Sequence, residues 1–158
     1  MSIKLSFFTA VSAFLLFSSC GQYPCSPSIG LRFALVSFKP AEADTVMLKR
    51  YPKGSNFSTV IDSVLVDSTL LTFTNRNDTL FPSTLLKQTL LLSQFDYRLT
   101  IPAINKTYSV TDIIEEEKKW KEPLFGAKED CTNPITGYTI DGTRVDVQPF
   151  YEVVYLKK

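Results

Sequence analysis

The feature that most narrows the fold is a succession of short β-prone runs, each with apolar residues at every second position and each closed by turn residues. A two-residue period makes one face of each run apolar, so such runs must lie side by side in sheets whose apolar faces meet. The sharpest instance is Thr139-Ile140-Asp141-Gly142-Thr143-Arg144-Val145. Asp-Gly between two β-prone arms is the composition of a tight primed turn, in which both central residues need positive φ. Near the start, Ile29, Leu31, Phe33 and Leu35 alternate with Gly30, Arg32 and Ala34, which predicts a strand with one buried face ended by Lys39-Pro40. Residues 45–51 predict a second strand, with Val46 and Leu48 on one side and Thr45, Met47 and Lys49 on the other. Pro52-Lys53-Gly54-Ser55 is a turn.

Two further β-rich runs, 59–66 and 70–74, precede the polar cluster Asn75-Arg76-Asn77-Asp78. The segment 80–92 fits a buried strand or a helical turn followed by a strand, and Pro82 favours a break within it. Tyr97, Leu99 and Ile101, then Ile104-Asn105-Lys106, then Tyr108 and Val110 read as a hairpin. Asp112, with Glu115 three residues later, has the spacing of a capped helix start and predicts a short helix over 112–120. Pro123 stops it, and 124–134 reads as an irregular loop containing Cys131. Pro149 interrupts the last run, so 150–156 is expected to be an edge strand or one resuming after a bulge. Seven to nine strands and one short helix fit an all-β fold, an immunoglobulin-like or transthyretin-like antiparallel sandwich, better than a barrel.

The first twenty residues are of another kind. Lys4 supplies a positive start, residues 5–17 carry no charge, and Phe17-Ser18-Ser19-Cys20 ends the run with small residues before a cysteine. That is the pattern of an export signal. A span needs roughly 18 to 20 apolar residues, and Ser6, Thr9 and Ser12 interrupt this shorter run. Leu16-Phe17-Ser18-Ser19-Cys20 resembles the lipobox of bacterial lipoproteins. Phe17 departs from the commonest form and is similar to the looser pattern of Bacteroidetes-type lipoproteins. The resemblance implies cleavage before Cys20, acylation of its sulfur and of the new amino terminus, and anchoring of Cys20 in a lipid bilayer. The expected organisation is then a signal at 1–19, a lipidated tether at 20–28 and a single sandwich domain at 29–158. Neither an aspartate directly behind Cys20 nor acidic residues close after it are present in Gly21-Gln22-Tyr23-Pro24. By the same resemblance the protein is expected at the outer membrane, facing the periplasm.

Of three cysteines, lipidation of Cys20 leaves Cys25 and Cys131. In an exported protein the two are candidates for a disulfide, or for a tether thiol and a buried thiol, and spacing alone does not choose. The chain contains no histidine. Ser-His-Asp and Cys-His catalysis and histidine-containing zinc sites are thereby excluded, and no metal or other cofactor is expected. The balance of 17 basic and 16 acidic residues, with no basic stripe, makes nucleic acid an unexpected partner. Asp62 stands in the apolar run 60–64 and is read as an outward or bend residue. The cluster Asn75–Asp78 has a single carboxylate and is read as a turn, not a calcium loop.

The triplets Asp44-Thr45-Val46, Asp62-Ser63-Val64, Asp67-Ser68-Thr69 and Asp78-Thr79-Leu80 resemble the O-glycosylation sequon of exported Bacteroidetes-type proteins. That resemblance makes Thr45, Ser63, Ser68 and Thr79 candidate modification sites. Three Asn-X-Ser/Thr matches also occur, but they are set aside because a bacterial lipoprotein normally meets no machinery for them. Most aromatics are expected in the core, and Trp120 and Phe125, both near loops, are the candidates for contact with a partner. The expectation is therefore a membrane-anchored lipoprotein carrying a non-catalytic binding or assembly module for an unidentified protein or glycan. The alternatives are a periplasmic glycan-active enzyme using carboxylates alone, which needs two acids about 5 to 10 Å apart, and a fimbrial or adhesive subunit whose sheet edge accepts a neighbour's strand.

Overall fold

The computed structural model describes residues 25–67, 73–76, 78–82, 89–121, 129–148 and 152–158. Among these residues every long element is a strand. They are β1 (Ser26–Pro27), β2 (Arg32–Val36), β3 (Thr45–Pro52), β4 (Asp62–Asp67), β5 (Phe73–Arg76), β6 (Thr79–Pro82), β7 (Phe95–Ile101), β8 (Lys106–Glu115), β9 (Lys118–Lys121), β10 (Glu129–Asn133), β11 (Ile135–Ile140), β12 (Thr143–Asp146) and β13 (Val153–Lys157). A six-stranded antiparallel sheet runs β12-β11-β8-β7-β3-β4, a four-stranded sheet β13-β2-β6-β5 and a three-stranded sheet β1-β10-β9. The fold is all-β and sandwich-like, as the alternating runs require. Parallel pairs occur where β13 meets β2 and where β1 meets β10.

The core lies between the two larger sheets. Val46 and Leu48 of β3, Tyr97, Leu99 and Ile101 of β7, and Tyr108, Val110 and Ile113 of β8 face Phe33 and Leu35 of β2, Leu80 of β6, and Val154 and Leu156 of β13. The predicted sidedness of β3 holds: Val46 and Leu48 are buried and Thr45, Met47 and Lys49 are half-buried on the other face. The predicted hairpins form as well. Asp141 and Gly142 take φ of 47° and 80° at the β11–β12 turn, and a 3-10 turn at Pro102–Ile104 with Asn105 left-handed joins β7 to β8. β6 ends at Pro82, and beyond it Leu91 and Leu31 exchange two backbone hydrogen bonds of 2.9 Å each. β13 stands at the edge of its sheet, the first of the two readings of the last run.

Three readings are corrected. First, no helix forms over 112–120: β8 continues to Glu115 and β9 covers Lys118–Lys121. The acidic start mimicked a cap, but six to nine residues nucleate a helix poorly in isolation, and β7 and β11 offer ladders on both sides of β8. Asp112 instead takes φ 49° at a register shift between β8 and β11. This bulge carries the inward set from Tyr108 and Val110 to Ile113 and turns the Asp112 carboxylate outward. Second, Cys131 stands in strand β10, not in an irregular loop, opposite Lys119. Third, β2 is covered on both faces, since Ala34 is as buried as Phe33 and Leu35, while Ile29 is 74% exposed. β2 is an inner strand, and inner strands read as continuous apolar runs.

Candidate functional site

The chain's described start is held at three points. The sulfurs of Cys25 and Cys131 are bonded, with Cα atoms 4.8 Å apart and 106 positions between them in sequence. Ser26 and Pro27 pair with Thr132 and Asn133. Gly30 then turns the chain into the sandwich at φ 103°, where an added Cβ would lie 2.9 Å from Leu92 Cδ2 and 3.1 Å from the Leu91 carbonyl. Only glycine fits that conformation and that gap.

These constraints leave a cleft of about 460 Å³ between the small sheet and the mouth of the sandwich. Its lining includes basic Arg32 and Lys118, polar Glu152 and Asn133, and apolar Ile29 and Val153. Ser28 Oγ accepts the Gly30 N–H at 3.0 Å and donates to Glu152 at 3.5 Å, so one wall is internally bonded. Two basic residues beside apolar surface suit an amphiphilic ligand with an anionic group.

A second groove, of about 470 Å³, separates the β13 edge from β11 and β12. Side chains on its floor reach that edge. Tyr108 donates its hydroxyl to the Lys157 carbonyl at 2.5 Å, Lys106 Nζ donates to the same oxygen at 3.0 Å, and Tyr138 donates to the Val153 carbonyl at 3.5 Å. Side chains of the larger sheet thus occupy two of the carbonyls, those of Val153 and Lys157, that β13 would offer to another strand. Burial, with the Asp141 charge second, pushes the Tyr108 hydroxyl up to about 12. Burial also raises Tyr138, against a bond to the Tyr155 backbone.

On the outer face of the larger sheet the turn after β3 folds back. Asn56 and Phe57 both have positive φ, 49° and 61°, which for a phenylalanine is uncommon. Its ring is fixed by contacts: edge-on to Tyr51 at 5.1 Å, with the Arg98 guanidinium 4.3 Å from its centroid. The Gly54 N–H donates to buried Asp96 at 2.7 Å, and Lys53 donates to the carbonyls of Ser93 and Ile113.

The residues singled out from the sequence scatter. Cys20, Ser68 and Phe125 lie outside the described residues. Thr45 opens β3 and Thr79 opens β6, both half-buried, whereas Ser63 is exposed in mid-strand on β4, opposite Lys49. Trp120 is in β9, opposite Asp130. Asp62 lies beside Arg50, Oδ1 to Nε 3.4 Å, and is partly exposed. Among the described candidates, Cys25 and Cys131 are brought together. Sequence reading missed Arg32 and Lys118, 86 positions apart, because only the small sheet unites them; the basic residue amid the apolar alternation of β2 was the available signal. No protein-family model, curated protein or solved structure matches the chain.

Proposed function

We propose that this chain is an exported lipoprotein, anchored through acylated Cys20 at the outer membrane, whose sandwich is a non-catalytic binding or assembly module. The observation that carries the reading is the fixed start of the fold. Cys25, five positions after Cys20, is bonded to β10, so the free tether is about 17 Å at full extension. A start stapled to its own sheet suits a domain held by its amino terminus. The cleft with Arg32, Lys118 and Ile29 would then stand near the lipid headgroups, facing an amphiphilic or anionic partner. Support for a binding role comes from four carboxylates that have structural partners: Asp62 with Arg50, Asp96 with Gly54, Glu115 with Ser93 and Asp141 with Ser109. Ser63, exposed on β4, is the most accessible described candidate for O-glycosylation.

Intact mass spectrometry of the chain extracted from membranes of the producing cells, with and without reduction and beside Cys20→Ala, tests this reading. A mass starting at Cys20 plus acyl groups supports the anchor, and hexose increments support modification. An unacylated chain in the soluble fraction would overturn the membrane assignment.

A further inference from the structure

The outer face of the six-stranded sheet carries two like charges side by side, an arrangement that works against folding. Lys49 of β3 stands directly opposite Arg98 of β7, in a cross-strand row that begins at Ser63 of β4 and ends at Ser109 of β8. Residues directly opposite share a face, with Cβ atoms about 5 Å apart, and like charges so placed destabilise a sheet. Among the described residues neither cation is in an ion pair. Asp141, beyond the Ser109 end of the row, accepts the Ser109 N–H and hydroxyl at 2.7 and 3.0 Å. Arg98 is exposed and Lys49 half-buried.

The backbone, moreover, is bent out of its usual range to hold one of the two. Phe57 takes φ 61° directly after Asn56 at 49°, a region that bulky residues seldom enter. The turn sets its ring 4.3 Å from the Arg98 guanidinium and edge-on to Tyr51 at 5.1 Å. A guanidinium stacked on an aromatic ring keeps its N–H edge for an oxyanion.

We propose that Lys49 and Arg98 together bind the carboxylate or sulfate group of an acidic glycan lying on this face. Charge complementarity requires an anion, and the surroundings choose its carrier. The row ends in hydroxyl residues, and in the next row Thr100 and Thr107 are bonded to each other at 2.9 Å. The core of a protein interface is by contrast apolar and depleted in lysine and serine. An anionic bilayer is met by clusters of about 4 to 8 basic residues, and nucleic acid by a basic stripe. A single pair suits oxyanions spaced along a sugar chain.

The inference rests on the binding reading above, but on neither the lipid anchor nor the cleft. The full-length chain, purified from the producing cells, is run through native gels containing polygalacturonate, dextran sulfate or neutral dextran. At least one acidic polymer should retard it, and dextran should not. Lys49→Gln and Arg98→Gln should each raise the apparent dissociation constant about tenfold. Arg98→Lys keeps the charge but loses the fork, and should weaken binding about threefold or more. Phe57→Ala, which changes no charge, should act in the same direction, whereas Arg144→Gln on β12 should have no effect. Circular dichroism checks that each variant is folded, and Lys49→Gln alters a side chain with no ion pair to lose. Retardation by neither acidic polymer, equal retardation by dextran, or binding indifferent to Lys49→Gln would overturn the proposal. Retardation lost with Arg32→Gln but kept with Lys49→Gln would defeat it while moving binding to the cleft, and the mass spectrum decides the anchor in every case.

Discussion

Removing the Cys25–Cys131 bond by Cys25→Ser with Cys131→Ser should cost the domain most of a typical margin of stability. In the chain-entropy picture a cross-link spanning 106 positions removes about 16 cal/mol/K from the unfolded ensemble, or about 4.7 kcal/mol at 25 °C. Domains of this size hold about 5 to 15 kcal/mol in total. The native state loses something besides. β1 has two residues and one neighbour, so without the bond the segment around Ser26 and Pro27 has little to keep it on β10, and the cleft loses a wall. Urea denaturation of the oxidised protein, the reduced protein and the double variant measures the effect. The last two should coincide, with a loss of about 4 kcal/mol or more, a melting temperature lower by about 15 °C and a larger m-value, because the uncrosslinked chain exposes more surface. A loss below about 1 kcal/mol, or an unchanged m-value, would refute the entropic account.

Other perturbations read single features. The folded Tyr108 hydroxyl titrates near 12 and the unfolded one near 10. Its protonated form is thus favoured by folding, and this contribution is complete below pH 10 and lost as pH rises to 12. Tyr108→Phe should flatten that window in pH-dependent urea midpoints and cost about 1 kcal/mol at neutral pH through the bond to Lys157. Gly30→Ala should destabilise by about 2 to 3 kcal/mol, since φ 103° and a Cβ 2.9 Å from Leu92 Cδ2 are both unfavourable; an unchanged melting temperature would show that the turn relaxes freely. At the β8 bulge, Asp112→Gly should be tolerated and Asp112→Val should lose about 1 to 2 kcal/mol, because a β-branched residue resists φ 49°. Equal melting temperatures for the two variants would refute a conformational role for that position.

What the sequence disclosed was what lives in short windows. The Asp141-Gly142 turn, the two faces of β3 and the β7–β8 hairpin each depend on a handful of neighbouring residues, and their spacing showed them. The misread helix depended on something distant. From Asp112 to Glu115 the local pattern permits a cap, and only pairing with β11, which begins twenty positions after Glu115, makes it a strand. Cys131 was placed in a loop because β10 exists only through β1 and β9, and β1 lies more than a hundred positions away. The cleft was invisible for the same reason. Long-range pairing gathers its cations, while each cation alone resembles an ordinary surface residue.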